Sequence, residues 1–245
     1  MFKSLCLILI ITLSILAGSG YAQEEGHLHH SIQSRTGGEE SVAKLSLDYF
    51  ELRGDHGAAI EGDLSYGGDI NKVAVEVVFE RTAGQIEKNE LWGVLSRAIS
   101  AKWNFIAGIR HDFQLESTSR NWAAIGIVGE TPYSLEMDAV FFIGKSGSTA
   151  LRVEGEYDLK VTKKLSLAPR FELNFFGQND EARGSGSGLS ELELGVRLIY
   201  EVTQKFSPYA GVHYSREIGN AADFAREEGE NVGLTVWVLG ARLWF

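Results

Sequence analysis

The sequence lacks the features of a disulfide scaffold or a nucleic-acid-binding protein. One cysteine in 245 residues cannot form an intramolecular disulfide. The 23 lysines and arginines are outnumbered by 33 aspartates and glutamates, and the net charge of −10 argues against binding by phosphate neutralisation. Proline is scarce, with 3 residues, so the 28 glycines and the 11% aromatic content indicate turns and closely packed strands rather than a disordered chain.

The first apolar run predicts export. Lys3 precedes an apolar segment over residues 5–16, and small and polar residues follow as far as Ala22. This order is typical of a signal peptide, and the apolar segment is shorter than the roughly 20 residues that cross a bilayer as a helix. We predict a signal peptide over residues 1–22, cleaved near Ala22. Cleavage would remove Cys6, which excludes a lipoprotein anchor on the new N-terminus.

Beyond the signal peptide the recurring pattern is alternation, and no apolar run is long enough for a membrane helix. In residues 72–80 the odd positions are apolar, whereas the even positions include Lys72, Glu76 and Glu80. A period of two puts these sets on opposite faces of a strand. The runs are ten or more residues long, which is the length of a membrane β-strand and about twice that of a soluble one. A soluble β-sandwich is the alternative, and it fits this length less well.

Twelve such runs predict an all-β fold, an antiparallel up-and-down transmembrane β-barrel of the bacterial outer-membrane type over residues 42–245. The runs cover about residues 42–51, 57–66, 72–81, 88–98, 102–113, 120–130, 133–144, 149–160, 165–176, 189–201, 207–216 and 233–245. The fourth and sixth runs are the weakest because Trp92 and Trp122 fall on their less apolar face. A ten-stranded barrel is therefore the alternative.

The connections between the runs predict an orientation. Short turns alternate with longer links, and the two longest links, residues 177–188 and 217–232, fall on the same side. Outer-membrane barrels have short periplasmic turns and longer extracellular loops. We therefore expect a Gram-negative outer-membrane protein whose segment 23–41 precedes the barrel in the periplasm.

The last run carries a separate signal. Residues from Trp237 to Phe245 are apolar at every second position, and Arg242 lies on the opposite face, which would line the lumen. A final strand that ends in phenylalanine resembles the recognition signal of the outer-membrane assembly machinery. We therefore expect two partners for the barrel, the assembly machinery and the lipid bilayer of the outer membrane.

Several short stretches along residues 55–245 carry a resemblance to a known family. They include Asp55-His56-Gly57, Gly67-Gly68-Asp69, Ser96-Arg97-Ala98-Ile99-Ser100, Gly108-Ile109-Arg110-His111-Asp112-Phe113, Trp122-Ala123-Ala124-Ile125-Gly126, Glu154-Gly155-Glu156-Tyr157-Asp158, Pro169-Arg170-Phe171-Glu172-Leu173-Asn174, Gly188-Leu189-Ser190-Glu191-Leu192-Glu193 and Ala222-Asp223-Phe224-Ala225-Arg226. In these stretches the chain resembles the outer-membrane copper resistance protein B family. The resemblance implies a protein of copper resistance and homeostasis that binds copper or helps pass it across the outer membrane.

The segment before the barrel departs from that family, whose members often carry a Met- and His-rich segment there. Residues 23–41 contain His27, His29 and His30 but no methionine, so they offer no thioether ligands for Cu(I). Imidazole suits Cu(II), which we therefore favour as the metal at this histidine cluster. A solvated tail without a metal is the alternative. A periplasmic copper-handling protein is a further partner that the resemblance suggests.

The lumen face offers a second set of candidate metal ligands. The alternation is expected to point charged residues such as Arg97 inward, and we predict that Glu154 faces Arg170 and Arg152 faces Glu172 across one hairpin. A lumen plugged by such ion pairs is one interpretation. The other is an excess of carboxylates that attracts cations in transit. The lumen candidates for metal ligation are Glu136, Asp138, Glu156, Glu191, Glu193 and His213.

An enzyme is the least favoured class. His213 and Ser215 lie on one strand face, but residues i and i+2 are roughly 7 Å apart, too far for a direct hydrogen bond. Glu191 and Glu193 resemble a glycosidase pair only in being two acids. We predict no catalytic residues. The alternative to copper handling is a small general channel or a structural barrel without metal specificity.

Overall fold

The computed structural model describes residues 41–245, except residues 55, 83 and 114–118. The predicted signal peptide and the histidine cluster of His27, His29 and His30 lie outside the described residues. Within the described residues, no helix combines the length and the apolar character needed to cross a membrane.

Long antiparallel strands account for most of the described chain. They are β1 (Val42–Arg53), β2 (Gly57–Gly67), β3 (Asn71–Thr82), β4 (Gln85–Ala98), β5 (Trp103–Asp112), β6 (Arg120–Glu130), β7 (Leu135–Gly144), β8 (Thr149–Tyr157), β9 (Leu159–Lys160), β10 (Leu165–Phe176), β11 (Gly188–Tyr200), β12 (Phe206–Glu217) and β13 (Gly233–Trp244). The two-residue β9 follows β8 in the chain and pairs with the same neighbouring strand, β10, so β8 and β9 form one barrel strand. The thirteen segments therefore form twelve barrel strands.

The sheet closes on itself. Each strand pairs with the next along the chain, and β1 pairs with β13 from Ser46 opposite Trp244 to Arg53 opposite Val238. Closure leaves no unpaired edge strand. The prediction of an antiparallel barrel of twelve strands is confirmed, and the alternatives of ten strands and of a β-sandwich are wrong.

Successive side chains of each strand point alternately to the outer surface and into the lumen. On β3, Val73, Val75 and Val77 are each about half exposed on the outer surface, whereas Glu80 is buried inside. The exposed apolar side chains form the surface that lipid covers. The lumen face of β4 and β6 carries Trp92 and Trp122, both buried, which explains why these two runs alternate less clearly.

A β-bulge interrupts the alternation of β1. The pairing of β1 with β2 shifts between Leu47 and Tyr49, and Asp48 is the extra residue. Asp48 and Tyr49 are consecutive, yet both are buried, at 5% and 2% exposure. Beyond the bulge, Glu51 and Arg53 point into the lumen. A bulge of this kind accommodates one additional residue and leaves the rest of the ladder intact.

Two sequence predictions are wrong in detail. In the hairpin of β8 and β10, Glu154 lies opposite Glu172 and Arg170 lies opposite Glu156, a register two residues from the predicted one. The two predicted ion pairs nevertheless form on the diagonal, with Arg170 Nη2 2.6 Å from Glu154 Oε2 and Arg152 Nε 3.4 Å from Glu172 Oε1. The turn hydrogen bonds of this hairpin run from residues 161 and 162 to Leu165, so the turn is centred later than expected. Arg97, predicted to face the lumen, is exposed on the outer surface, because the even positions of β4 face inward.

The two ends of the barrel differ. One end, the turn end, carries the short links between β2 and β3, β4 and β5, β6 and β7, β9 and β10, and β11 and β12. The other, the loop end, carries the links 177–187 and 218–232. The second of these contains helix α1 (Asn220–Glu228), whose Ala221, Ala222 and Ala225 are buried. The two longest links therefore lie at the same end of the barrel, as predicted.

Candidate functional site

Buried ion pairs cross the lumen between distant strands. Lys88 Nζ on β4 lies 2.7 Å from Oε1 and 2.8 Å from Oε2 of Glu172 on β10. Arg152 Nε lies 3.4 Å from Glu172 Oε1, and Arg170 Nη2 lies 3.6 Å from Glu172 Oε2. Several strands separate β4 from β10 in either direction around the sheet. The pair of Lys88 and Glu172 therefore spans the lumen.

A second set of ion pairs joins the first. Arg53 Nη1 lies 2.8 Å from Glu80 Oε2, and Arg53 Nε lies 2.9 Å from Glu51 Oε1. Arg197 Nε lies 2.9 Å from Glu51 Oε2, and Lys88 Nζ lies 3.5 Å from Glu80 Oε1. We call the joined sets the ionic core, which comprises Glu51, Arg53, Glu80, Lys88, Arg152, Arg170, Glu172 and Arg197. Their burial is tolerable because each charge has an opposite partner.

Tyr49 extends the cross-lumen contacts. Its hydroxyl donates a hydrogen bond to Glu156 Oε2 at 2.7 Å, and Arg242 Nη2 lies 2.6 Å from Glu156 Oε1. The guanidinium carbons of Arg197 and Arg170 lie 4.5 and 4.9 Å from the centre of the Tyr49 ring. The ring thus packs against cations that also pair with carboxylates, a favourable arrangement for a desolvated aromatic face.

The opposite part of the lumen is apolar. A cluster of buried side chains from β4 to β8 forms what we call the apolar core, which comprises Trp92, Ile106, Trp122, Ala124, Val128, Val140, Phe142 and Ala150. Phe142 packs edge-on against Trp92 and Trp122, with ring centres 5.3 and 6.2 Å apart. Arg110 covers this cluster, with its guanidinium carbon 4.2 Å from the centre of the Phe142 ring.

A cavity lies between the two cores. Its walls include Lys88, Arg152 and Glu172 of the ionic core and Val128 and Val140 of the apolar core. The other carboxylates that line it are Glu61, Asp63, Glu76, Glu80, Asp138 and Glu154. Acidic side chains thus outnumber basic ones around the cavity, and an enclosed space of this kind attracts cations.

Three of the predicted candidates lie together. Glu136 on β7 is directly opposite Glu156 on β8, and Asp138 is opposite Glu154. All four line a second cavity, together with Glu61, Glu76 and Arg170. The sequence prediction that Glu136, Asp138 and Glu156 share the lumen face is therefore correct. Glu156 also belongs to the cross-lumen network through Arg242 and Tyr49.

The other three candidates lie on β11 and β12. Glu193 and His213 are buried in the lumen, with His213 Nε2 3.8 Å from Glu193 Oε2. Glu191 lies two residues before Glu193, directly opposite Glu217 of β12. In the part of the chain that the structure describes, no group of three or more His, Cys, Asp or Glu side chains is arranged to hold a metal ion.

Sequence reasoning missed several central residues. Lys88, Glu80 and Tyr49 were not proposed, although each is buried and makes cross-lumen or cross-strand contacts. The alternation of β3 and β4 puts Glu80 and Lys88 on the inner face, so a systematic list of inward charges would have found them. Tyr49 could not have been found in this way, because the bulge at Asp48 changes the parity of β1.

Comparison with known proteins gives the family. The family model for copper resistance protein B precursor (CopB) matches residues 41–245. The chain is 45% identical over 191 residues to a copper resistance protein B homolog of Pseudomonas syringae pv. tomato, which covers 77% of this chain and 65% of the relative. It is 41% identical over 182 residues to copper resistance protein B of Escherichia coli. That match covers 73% of this chain and 60% of the relative. The chain therefore spans less than two thirds of the length of these curated relatives.

The solved structures agree on the fold. The NanC porin is similar with a TM-score of 0.52 and 14% identity, covering 82% of this chain and 99% of that one. At this identity the similarity shows the fold alone, that of a closed antiparallel β-barrel. Since the family model matches the whole barrel and two relatives are more than 40% identical, the chain belongs to the copper resistance protein B family.

Proposed function

We propose that this protein contributes to copper tolerance by binding copper and helping it cross the outer membrane, without covalent chemistry. The observation that carries the proposal is the acidic cavity in the lumen of a barrel of this family. Carboxylates such as Glu76 and Asp138 supply oxygen ligands to a cation in transit, and the enclosed space concentrates it. Met137 is the methionine nearest in sequence to Asp138. It lies on β7 between Glu136 and Asp138, and the side chains of these two acids face inward.

Copper(II) is the oxidation state that the available ligands favour. The segment 23–41 offers His27, His29 and His30, and imidazole and carboxylate ligands suit Cu(II) better than Cu(I). We propose that this segment collects the ion in the periplasm after cleavage of the signal peptide near Ala22. A periplasmic copper-handling protein is the partner that would deliver it, and the strand ending at Phe245 is the signal for the assembly machinery.

Copper binding by the purified protein without its signal peptide tests this function. We expect saturable binding of Cu(II), tighter than that of Zn(II), and weaker binding when residues 23–41 are deleted. Binding that survives the deletion would assign a site to the barrel. The absence of copper binding by both proteins would exclude the metal function.

The ion pairs that cross the lumen favour a second candidate, a structural barrel without metal specificity. Lys88 and Glu172 join opposite sides of the barrel, which a channel for small solutes would not require. This candidate predicts no selectivity among metal ions and no loss of copper tolerance when the gene is deleted. A copper-sensitive deletion strain, restored by the complete protein, would exclude it.

A further inference from the structure

His213 is a buried histidine with an unusual environment. It lies on β12 with its ring in the lumen, and only 4% of the residue is exposed. Among the described residues, its Nε2 atom has no hydrogen-bond partner. The nearest carboxylate oxygen in an ion-pair arrangement is Glu193 Oε2, at 3.8 Å. This distance is too long for a hydrogen bond.

We infer that His213 Nε2 and Glu193 Oε2 together bind one divalent metal ion of the Cu(II) or Zn(II) type. The choice of Cu(II) as the natural ion rests on the proposed function, whereas the site itself rests on the geometry. Two bonds of typical length, about 2.0 to 2.1 Å to imidazole nitrogen and 2.0 to 2.2 Å to carboxylate oxygen, place the donor atoms about 3.4 Å apart at a tetrahedral angle and at most about 4.3 Å apart in a line. The separation of 3.8 Å between His213 Nε2 and Glu193 Oε2 lies between these two values.

The arrangement of the two strands holds the pair in place. Gly195 is directly opposite His213, and Glu193 is directly opposite Ser215, so the histidine and the glutamate meet on a diagonal. Glu193 Oε1 is held by Lys88 Nζ at 2.7 Å, which fixes the carboxylate and leaves Oε2 on the side of the imidazole. Lys88 keeps Glu172 as a second partner, so metal binding at Oε2 does not require it to move.

A second orphaned oxygen lies further along the same two strands. Glu217 Oε2 is buried and has no hydrogen-bond partner among the described residues, and Glu217 is directly opposite Glu191. Two carboxylates in direct opposition repel each other unless a cation lies nearby. The face shared by β11 and β12 thus presents acceptors in excess of donors towards the loop end. This is the environment that a cation entering or leaving the His213 site would meet.

The test exploits the small number of histidines. The chain has six, and five of them, His27, His29, His30, His56 and His111, lie outside the proposed site. In the single-histidine protein, the complete mature chain carries glutamine in place of four of these histidines and asparagine in place of His56. Asparagine is chosen there because the φ angle of His56 is +61°, which asparagine tolerates. His213 and Glu193 are unchanged. We expect this single-histidine protein to bind one Cu(II) with one imidazole nitrogen visible in its electron paramagnetic resonance spectrum. It should also bind Zn(II).

Two further variants, made in the single-histidine protein, complete the experiment. His213→Gln should remove the nitrogen signal and weaken Cu(II) binding by at least about tenfold, the scale of the loss seen even for groups outside the first ligand shell. Glu193→Gln should weaken binding but keep the nitrogen signal at high copper concentration. A single cooperative chemical unfolding transition for each variant would show that both variants fold.

The outcomes separate this inference from the proposed function. A single-histidine protein that binds neither metal would overturn the inference, and copper binding by the unsubstituted protein would then leave the proposed function intact. Binding of Zn(II) but not Cu(II) by both proteins would support the site and overturn the copper function. Copper binding that is identical with and without His213 would assign the metal to other ligands and overturn the inference.

Discussion

The ionic core and the apolar core fill the same lumen by different means. The ionic core joins β1, β3, β4, β8, β10 and β11 through charges that are buried but paired. The apolar core joins β4 to β8 through aromatic and aliphatic contacts. A buried charge requires a specific partner at a specific distance, whereas an apolar side chain requires only a filled volume. The two cores therefore should respond differently to substitution.

The difference also bears on the transport that we propose. In that proposal, the cations and carboxylates that cross the lumen would exchange partners with a passing ion, since several carboxylates already have more than one partner. The apolar core offers no ligands and excludes water. A cation would therefore move along the ionic side of the cavity, and the apolar side would narrow its path.

The largest expected effect comes from the centre of the ionic core. Glu172→Ala would remove the carboxylate with which both Lys88 and Arg152 pair. Because the two cations would remain buried, we expect the free energy of unfolding to fall by about 3 to 5 kcal/mol. Chemical unfolding in lipid vesicles, followed by tryptophan fluorescence, measures this change. Glu181→Ala, at an exposed loop position, is the control and should change stability by less than about 0.5 kcal/mol. Equal effects of the two substitutions would contradict the view that the paired charges support the fold.

A smaller effect is expected where an aromatic residue supports the ionic core. Tyr49→Phe removes the hydroxyl that donates to Glu156 but keeps the ring against Arg197. A hydrogen bond to a charged group contributes about 1.5 to 3 kcal/mol, and we expect a loss in this range. Tyr133→Phe, on the exposed surface, is the matched control. A loss below about 0.5 kcal/mol would indicate that Arg242 alone satisfies Glu156.

The contact between the two cores can be measured directly. Arg152 of the ionic core lies over the Trp92 ring of the apolar core, with its guanidinium carbon 5.9 Å from the ring centre, and also pairs with Glu172. A double-mutant cycle of Arg152→Met and Trp92→Leu should give a coupling energy of about 0.5 to 2 kcal/mol. Additive effects of the two substitutions would show that the two cores are energetically independent.

The smallest effect is expected inside the apolar core. Ile106→Val removes one methylene group from a buried position, which should cost about 0.5 to 1.5 kcal/mol. Ile109→Val on the same strand faces outward, with 70% exposure, and should cost less because acyl chains fill the space. Unfolding measurements in the same vesicles compare the two. A larger loss at Ile109 would mean that the assignment of faces on β5 is reversed.

Most of the fold follows from the period of two. The bounds of β3, for example, differ by one residue at each end from the predicted run 72–81, because its apolar and charged residues alternate without interruption. The hairpin of β8 and β10 was misaligned because its register depends on where the turn closes, which the alternation does not define. Helix α1 has no such pattern and was not predicted.

The candidate site could be predicted only in part. The inward direction of Glu193 and His213 follows from alternation, but their separation of 3.8 Å depends on the register of β11 and β12. The pairing of Lys88 with Glu172 depends on how the sheet closes, since the two residues lie 84 positions apart. The sequence indicates which face each residue occupies, and only the closed barrel indicates which residues meet.

The bulge in β1 makes this strand unusually tolerant of a change in length. Removing Asp48 would restore an uninterrupted ladder, with Tyr49, Glu51 and Arg53 still turned inward. Removing a residue from the middle of β3, such as Val75, would instead turn one half of that strand inside out and push Glu80 towards the lipid. Because of its extra residue, β1 can lose one residue and keep the same side chains facing the lumen, whereas a regular strand of the barrel cannot.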